Sequence, residues 1–295
     1  MRKATTTVSI KRVQGGRVTA ARDSVTTEEP LEIRVVAQSK GKRQAHSVAV
    51  TMRTPGKDDE LAAGFLFTEG IIGGKREIEE ISERLPRDAE LPVLRMRDGP
   101  SPGEDDNVVH VSLKPGVAFD SHLLTRNFYM TSSCGVCGKA SLNALRIRGV
   151  APLTPGKATV SASVISGMSA TLAKEQAVFR ETGGLHAAAL FDTKGNLLAL
   201  REDVGRHNAM DKLIGHYVLK DKTPLGNSIV FLSGRASWEL MQKALVARIP
   251  IVVAVGAPSS LAIELAREFN ITLAGFARGD SFNIYAGAER IAAKG

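Results

Sequence analysis

The chain has 295 residues, of which 43% are hydrophobic and 24% are charged, a composition typical of a globular protein and not of a disordered one. No run approaches the roughly 18 apolar residues of a membrane-spanning helix, and the basic amino-terminal segment lacks the apolar stretch of a secretory signal. The net charge of +8 favours an anionic ligand or partner. Nucleic acid is not expected, because aromatic residues make up only 5% and no basic block is interleaved with them.

The first third of the chain is predicted to consist mostly of strands. Residues 31–35 and 46–50 alternate, or nearly so, with a period of two, and residues 108–113 form a further apolar run. A helix is expected after the second strand, with Asp58 or Asp59 as its N-cap. The resulting prediction is a strand-rich α+β domain.

A segment with two prolines and a glycine at 151–157 is the expected domain boundary. Beyond it strands and helices alternate. The predicted strands are 187–191, 197–200, 229–232, 251–255 and 271–276, and the predicted helices are 208–218, 236–248 and 259–269. This order predicts an α/β protein with an N-terminal α+β domain at 1–155 and a C-terminal three-layer α/β domain at 156–295, whose sheet is partly parallel.

Polar, glycine-rich runs stand at the ends of the C-terminal strands. They lie at 181–186, 201–208, 233–237, 256–260 and 276–281. Glycines permit close approach to a ligand, and helix starts offer free N–H groups to phosphate. Four arginines could add contacts to phosphate oxygens: Arg201, Arg206, Arg235 and Arg278. Together these runs predict a nucleotide-like anion as the ligand, while His186 and His207 are general bases, metal ligands or hydrogen-bonding residues.

Cys134 and Cys137 are the only cysteines, and they form a Cys-X-X-Cys motif within the run SSCGVCGK at 132–139. The spacing alone leaves redox or sulfur chemistry, partial metal ligation and coincidence open. A closed structural zinc site would need a second pair of ligands of this kind, and the zinc deaminase signature is absent. A predicted helix at 139–146 would lower the pKa of a thiol at its start. Two cysteines without a signal peptide fit a reducing cytoplasm.

Several runs together resemble the FdhD family of accessory proteins required for formate dehydrogenase. They are RTPGKDDELAAGFLFTEGII, SSCGVCGK, ETGGLHAAALF, REDVGRHNAMDKLIG, SGRASWELMQKA and GAPSSLAIELA. The resemblance implies a cytoplasmic, homodimeric sulfurtransferase. It would take persulfide sulfur from a cysteine desulfurase onto Cys134, with Cys137 assisting or resolving, and deliver it to the molybdenum bis(molybdopterin guanine dinucleotide) cofactor.

The resemblance also implies where the cofactor would bind. The family's cofactor-associated run matches Phe276, Ala277, Arg278, Gly279, Asp280 and Ser281. GDP-like nucleotides would mimic the cofactor's guanine dinucleotide arms, and no metal site of the chain's own is implied. The C-terminal domain of the family resembles the cytidine deaminase fold without its zinc site.

Two other functions are weighed against this one. The first is a non-catalytic chaperone that holds the molybdenum cofactor for formate dehydrogenase while the cysteines serve only loop structure. The second is a thioredoxin-like oxidoreductase, which is disfavoured because the Trp-Cys-Gly-Pro-Cys run and the βαβ context of that family are missing.

Overall fold

A computed structural model describes residues 3–39, 41–91, 107–119, 149–154 and 158–292. An exposed two-stranded ribbon begins the chain, formed by β1 (Thr5–Gln14) and β2 (Arg17–Thr26). The strands pair antiparallel around Gly15 and Gly16, which both adopt positive φ. No element was predicted for these residues.

A five-stranded sheet follows, with its strands in the order β5-β7-β3-β4-β6. They are β3 (Glu29–Ser39), β4 (Lys42–Arg53), β5 (Ile78–Ser82), β6 (Ala89–Glu90) and β7 (Val108–Leu113). The three predicted strands are confirmed. β3 and β4 form an antiparallel hairpin, and β7 runs parallel to β3 on its other side.

Helix α1 (Asp58–Thr68) lies between β4 and β5, and a short 3-10 helix (Lys75–Glu77) follows it. The prediction that Asp58 or Asp59 caps α1 is wrong. The N-cap is Lys57 in the left-handed conformation, and both aspartates lie inside the first turn. Their charges still suit the positive end of the helix dipole there.

The C-terminal part is built on a six-stranded sheet in the order β10-β9-β11-β12-β13-β14. Its strands are β9 (His186–Asp192), β10 (Leu197–Asp203), β11 (Ser228–Leu232), β12 (Ile251–Ala254), β13 (Thr272–Arg278) and β14 (Ser281–Ala286). β11, β12 and β13 are mutually parallel, and the outer pairs are antiparallel. The predicted partly parallel sheet is therefore confirmed. Two short parallel strands, β8 (Val160–Ser161) and β15 (Ile291–Ala292), bring the two ends of this part together.

Helices cover both faces of this sheet, so the protein is mixed α/β. Five helices belong to it: α2 (Ala162–Glu175), α3 (Ala177–Thr182), α4 (Arg206–Leu219), α5 (Trp238–Val246) and α6 (Ser260–Glu268). One face packs on α4, α5 and α6, and the other packs on α2. Alternate residues of β11 divide between the faces, Val230 and Leu232 joining the first core and Ile229 and Phe231 the second. None of the described helices is both long and apolar enough to cross a membrane.

The two sheets are joined by the packing of α1 against α4. Gly64 and Gly215 face each other at this crossing, and a Cβ on Gly64 would lie 2.6 Å from the carbonyl carbon of Asp211. Only glycine allows the backbones so close. The buried core around this crossing draws on residues from both sides of the domain boundary predicted at 155. The cytidine deaminase likeness of the C-terminal part stays a prediction.

Candidate functional site

The polar loops picked out in the sequence meet at one end of the six-stranded sheet. We call this end the loop edge; it comprises His186 and residues 203–207, 233–237, 256–259 and 276–281. Parallel strands place their carboxyl ends at the same edge, which is where ligands collect in such sheets. Backbone bonds join neighbouring loops: Gly256 N–H donates to Gly234 O at 2.9 Å, and Phe276 N–H donates to Gly256 O at 3.2 Å.

Glycines make this close packing of the loops possible. A Cβ on Gly234 would lie 3.3 Å from Nδ1 of His186, and a Cβ on Gly256 would lie 3.1 Å from the backbone of Arg235. Both distances are tighter than ordinary contacts, so a larger residue would displace its neighbour. Because these glycines have no side chain, the backbone around them stays open to a ligand, and cationic side chains lie directly beside it.

His186, Arg206 and His207 form a cluster of nitrogen-bearing side chains at the loop edge, of which Arg206 carries the permanent charge. Burial lowers the pKa of His186, and the nearby charges of Arg206 and His207 lower that pKa further. Asp203 opposes this shift only partly. Nε of Arg206 is buried and has no hydrogen-bond partner within the described part of the chain. Such a cluster has unused capacity to bind a negative charge.

The two helix starts beside this cluster differ in charge. At the start of α5, His207 Nε2 lies 3.3 Å from Ser237 Oγ and 3.8 Å from a carboxylate oxygen of Glu239. Interaction with His207 is the main reason that the pKa of Glu239 falls to about 2. The first turn of α4 carries no acidic residue, and no side chain in the described part of the chain caps its start. An anion is therefore favoured at α4 and disfavoured at α5.

The run predicted to bind the cofactor forms the hairpin between β13 and β14. Phe276 is 45% exposed and adopts a φ of 55°, in the left-handed region that side chains rarely occupy. Ala277 is buried, so it would offer a ligand its backbone only, whereas Arg278 is exposed. Gly279 also has positive φ and makes the turn, where Asp280 and Ser281 are exposed. Whether this run binds the cofactor stays a prediction.

One of the four arginines predicted to bind phosphate, Arg201, forms an ion pair within the protein instead. Arg201 donates to both carboxylate oxygens of Glu60 on α1, at 2.5 and 2.8 Å, and also contacts His216. Arg235 and Arg278 are exposed at the loop edge.

Cys134 and Cys137 lie outside the described residues. No group of three or more potential metal ligands occurs among the residues that the structure describes.

Two acidic residues at this site were not predicted from the sequence. Asp203 is fully buried at the end of β10, and Glu239 lies in the first turn of α5. The signal for Asp203 was its place two residues before Gly205, a pattern typical of a turn in which an aspartate accepts a backbone N–H. Glu239 gave a weaker signal, as an acid just inside a predicted helix.

The fold and the loop edge define a mixed α/β protein that presents cationic side chains and an uncapped helix start at one end of its sheet. The chain belongs to the FdhD/NarQ family, whose model matches residues 26–292. Relatives named "Sulfur carrier protein FdhD" include one from Mycobacterium tuberculosis, 46% identical over 285 residues that cover 96% of each chain. A relative of the same name from Streptomyces coelicolor is 45% identical over 294 residues, which cover 99% of this chain and 97% of the relative.

A solved structure has the same fold. It is that of a protein provisionally assigned as a formate dehydrogenase accessory protein from Desulfotalea psychrophila, with a TM-score of 0.70 and 22% identity. The match covers 98% of this chain and all of that one.

Proposed function

We propose that this protein is a sulfur carrier for formate dehydrogenase. In this proposal Cys134 receives sulfane sulfur from a cysteine desulfurase, and the sulfur is delivered to the molybdenum bis(molybdopterin guanine dinucleotide) cofactor. The observation that carries the proposal is the near full-length match to relatives named as sulfur carriers, in a chain whose two cysteines form one Cys-X-X-Cys motif. We further propose that the protein acts in the cytoplasm as a homodimer.

The chemistry needs only the two thiols and the desulfurase persulfide. The Cys134 thiolate attacks the outer sulfur of that persulfide, the sulfur–sulfur bond breaks, and the desulfurase thiolate leaves. Cys134 then carries the persulfide. Attack by the Cys137 thiolate on the Cys134 sulfur would release the outer sulfur as sulfide and leave a disulfide between the two residues. The pair would thereby supply both electrons that reduce the sulfane sulfur.

The loop edge is suited to the cofactor as cargo. The cofactor's phosphates carry negative charge, and the loop edge offers Arg206, Arg235, Arg278 and the uncapped start of α4. Nε of Arg206, which is buried and unpaired in the described part, is the kind of donor that a phosphate oxygen would satisfy. The chain's residues would bind and orient the cofactor's phosphates and leave the sulfur chemistry to the cysteines.

GDP binding tests the cargo site. Isothermal titration calorimetry should show that wild-type protein binds GDP and that affinity falls as salt is raised, because arginine–phosphate attraction is screened. Arg235→Ala and Arg278→Ala should each weaken binding by about tenfold. Arg22→Ala, at an exposed position of the ribbon, is the matched control and should change nothing. Failure of the wild type to bind, or equal affinity in all three variants, would contradict the proposed site.

The second candidate is a chaperone that holds the cofactor without sulfur transfer. The observation that favours it is that the groups proposed to bind the phosphates, Arg206, Arg235, Arg278 and the start of α4, all belong to the C-terminal part of the sequence, which contains neither cysteine. The two functions differ in one outcome: a chaperone with both cysteines changed to alanine would still activate formate dehydrogenase, whereas a sulfur carrier so changed would not.

A further inference from the structure

Asp203, at the loop edge, forms a buried ion pair with Lys212 on α4. Asp203 is completely buried and Lys212 is 2% exposed, and Lys212 Nζ lies 2.6 Å from Asp203 Oδ2. Such a pair costs desolvation energy and is often no more stabilising than apolar residues of the same size. Its position therefore calls for a reason beyond stability.

The pair fastens the end of β4 to the start of α4. Asp203 Oδ2 accepts from Thr54 N–H at 3.2 Å, and Lys212 Nζ donates to Thr54 O at 2.8 Å. Thr54 Oγ1 accepts in turn from Val204 N–H at 3.1 Å. Thr54 is thus held on three sides by the segment that leads into α4. We call Asp203, Lys212, Thr54 and Asn208 the α4 clamp.

The clamp also fixes the first turn of α4 itself. Asp203 Oδ1 accepts from Gly205 N–H at 2.8 Å and from Asn208 Nδ2 at 3.1 Å. Asn208 donates a second bond to the carbonyl of Met52 at 2.8 Å. A Cβ on Gly205 would lie 3.0 Å from Asn208 Nδ2, so this position is fitted closely to the clamp. Arg206 and His207 lie between the two clamped residues Gly205 and Asn208.

A second buried pair on the same helix provides a comparison. Lys243 Nζ lies 2.9 Å from both carboxylate oxygens of Asp211, and Thr68 Oγ1 donates to Asp211 at 2.9 Å. It resembles the α4 clamp in burial and in its threonine from the N-terminal part, and Lys243 also lies 3.6 Å from a carboxylate oxygen of Glu69. It differs in position, because the Asp211 side chain bonds to Thr68 on α1 and to Lys243 on α5.

We propose that Asp203 is a positioning residue for anion binding. It acts through the α4 clamp, which holds Arg206, His207 and the N–H groups of the first turn of α4 in the geometry that receives a phosphate. This inference rests on the proposed function, since it concerns the cargo site of that proposal. The Asp211–Lys243 pair, by contrast, stabilises the helix packing only.

Replacing each ion pair by neutral residues separates an effect on anion binding from an effect on the stability of the protein. The double variant Asp203→Asn/Lys212→Met removes both charges of the clamp, and Asp211→Asn/Lys243→Met does the same to the comparison pair. We expect the first to lose GDP affinity by about tenfold to a hundredfold and to show a flatter dependence of affinity on salt, because the cations no longer face the phosphates. The second should bind GDP within about twofold of wild type with its salt dependence unchanged. Urea unfolding of both gives the stability change alongside.

Gentler variants cover the case in which a double variant does not fold. Thr54→Val removes one bond of the α4 clamp, and Thr68→Val is its counterpart in the comparison pair. The inference requires that only Thr54→Val weakens GDP binding. Equal GDP affinity in the two members of either matched set, with the wild type binding GDP, overturns the inference and leaves the proposed function intact. Absence of GDP binding by the wild type contradicts the proposed function, and the inference falls with it.

Discussion

Replacing Gly64 with alanine should push apart the two helices that join the sheets. The added Cβ would lie 2.6 Å from the carbonyl carbon of Asp211 and 2.9 Å from Gly215 N, where ordinary contact begins near 3.4 Å. Both neighbours are backbone atoms and cannot turn aside. Helices α1 and α4 would therefore have to separate by about 1 Å.

Separation on that scale would also weaken polar bonds that span the crossing. Thr68 Oγ1 donates to Asp211 at 2.9 Å, and His216 Nδ1 lies 2.9 Å from Glu60. An increase of about 1 Å takes such a bond beyond hydrogen-bonding distance. Overpacking typically costs about 1–3 kcal/mol, and each bond to a charged group contributes about 1.5–3 kcal/mol. Because alanine itself favours a helix by about 1 kcal/mol, we expect a net loss of about 3 kcal/mol or more.

Urea unfolding followed by circular dichroism would measure this loss, with Gly167→Ala as the matched control. Gly167 lies inside α2, and among the described residues no atom outside the neighbouring helix backbone lies within 4 Å of an added Cβ, so alanine there should stabilise the protein by about 0.5–1 kcal/mol. The two substitutions are chemically identical and should have opposite signs. A Gly64→Ala protein as stable as wild type would show that the close crossing does not hold the sheets together.

Two further predictions concern protonation at the loop edge. Bound GDP should raise the pKa of His186, because phosphate favours the charged imidazole that burial and Arg206 disfavour in the free protein. An NMR titration of His186 with and without GDP measures this pKa, and an unchanged value would argue against a phosphate near His186. The pKa of Glu239 is lowered from 4.5 to about 2, so its contribution to stability is present above pH 4.5 and is lost as the pH falls towards 2. Glu239→Gln should therefore reduce the loss of stability between those pH values, and identical pH profiles of unfolding for variant and wild type would refute the link.

Local patterns predicted the strands and helices well where the apolar residues formed a clear run or repeat. The strand at 108–113 was predicted with the bounds that the structure shows, since it is an unbroken apolar-rich run. The gathering of polar loops at one edge also followed from the sequence, because parallel strands order their ends in a fixed way. Helix α2 was missed because its serines and Gly167 are typical of turns.

Contacts between distant parts of the chain could not be predicted in this way. Arg201 was expected to face phosphate, yet it pairs with Glu60, which lies 141 positions earlier. Thr54 and Asp203 are separated by 149 positions and meet only because α1 packs on α4. No local pattern encodes such a meeting, so the α4 clamp emerged only from the structure.

Persulfide formation on Cys134 is the most direct test of the sulfur-carrier proposal. The protein would be incubated with a cysteine desulfurase and cysteine and then weighed intact by mass spectrometry. Cys137→Ala, in which no second thiol can resolve the persulfide, should gain the mass of a sulfur atom. Wild type should gain a sulfur atom or, once Cys137 has resolved the persulfide, lose two hydrogen atoms as the disulfide, and Cys134→Ala should do neither while still binding GDP. A Cys137→Ala chain that gains no sulfur, or a Cys134→Ala chain that gains as much as Cys137→Ala, would contradict the role assigned to Cys134.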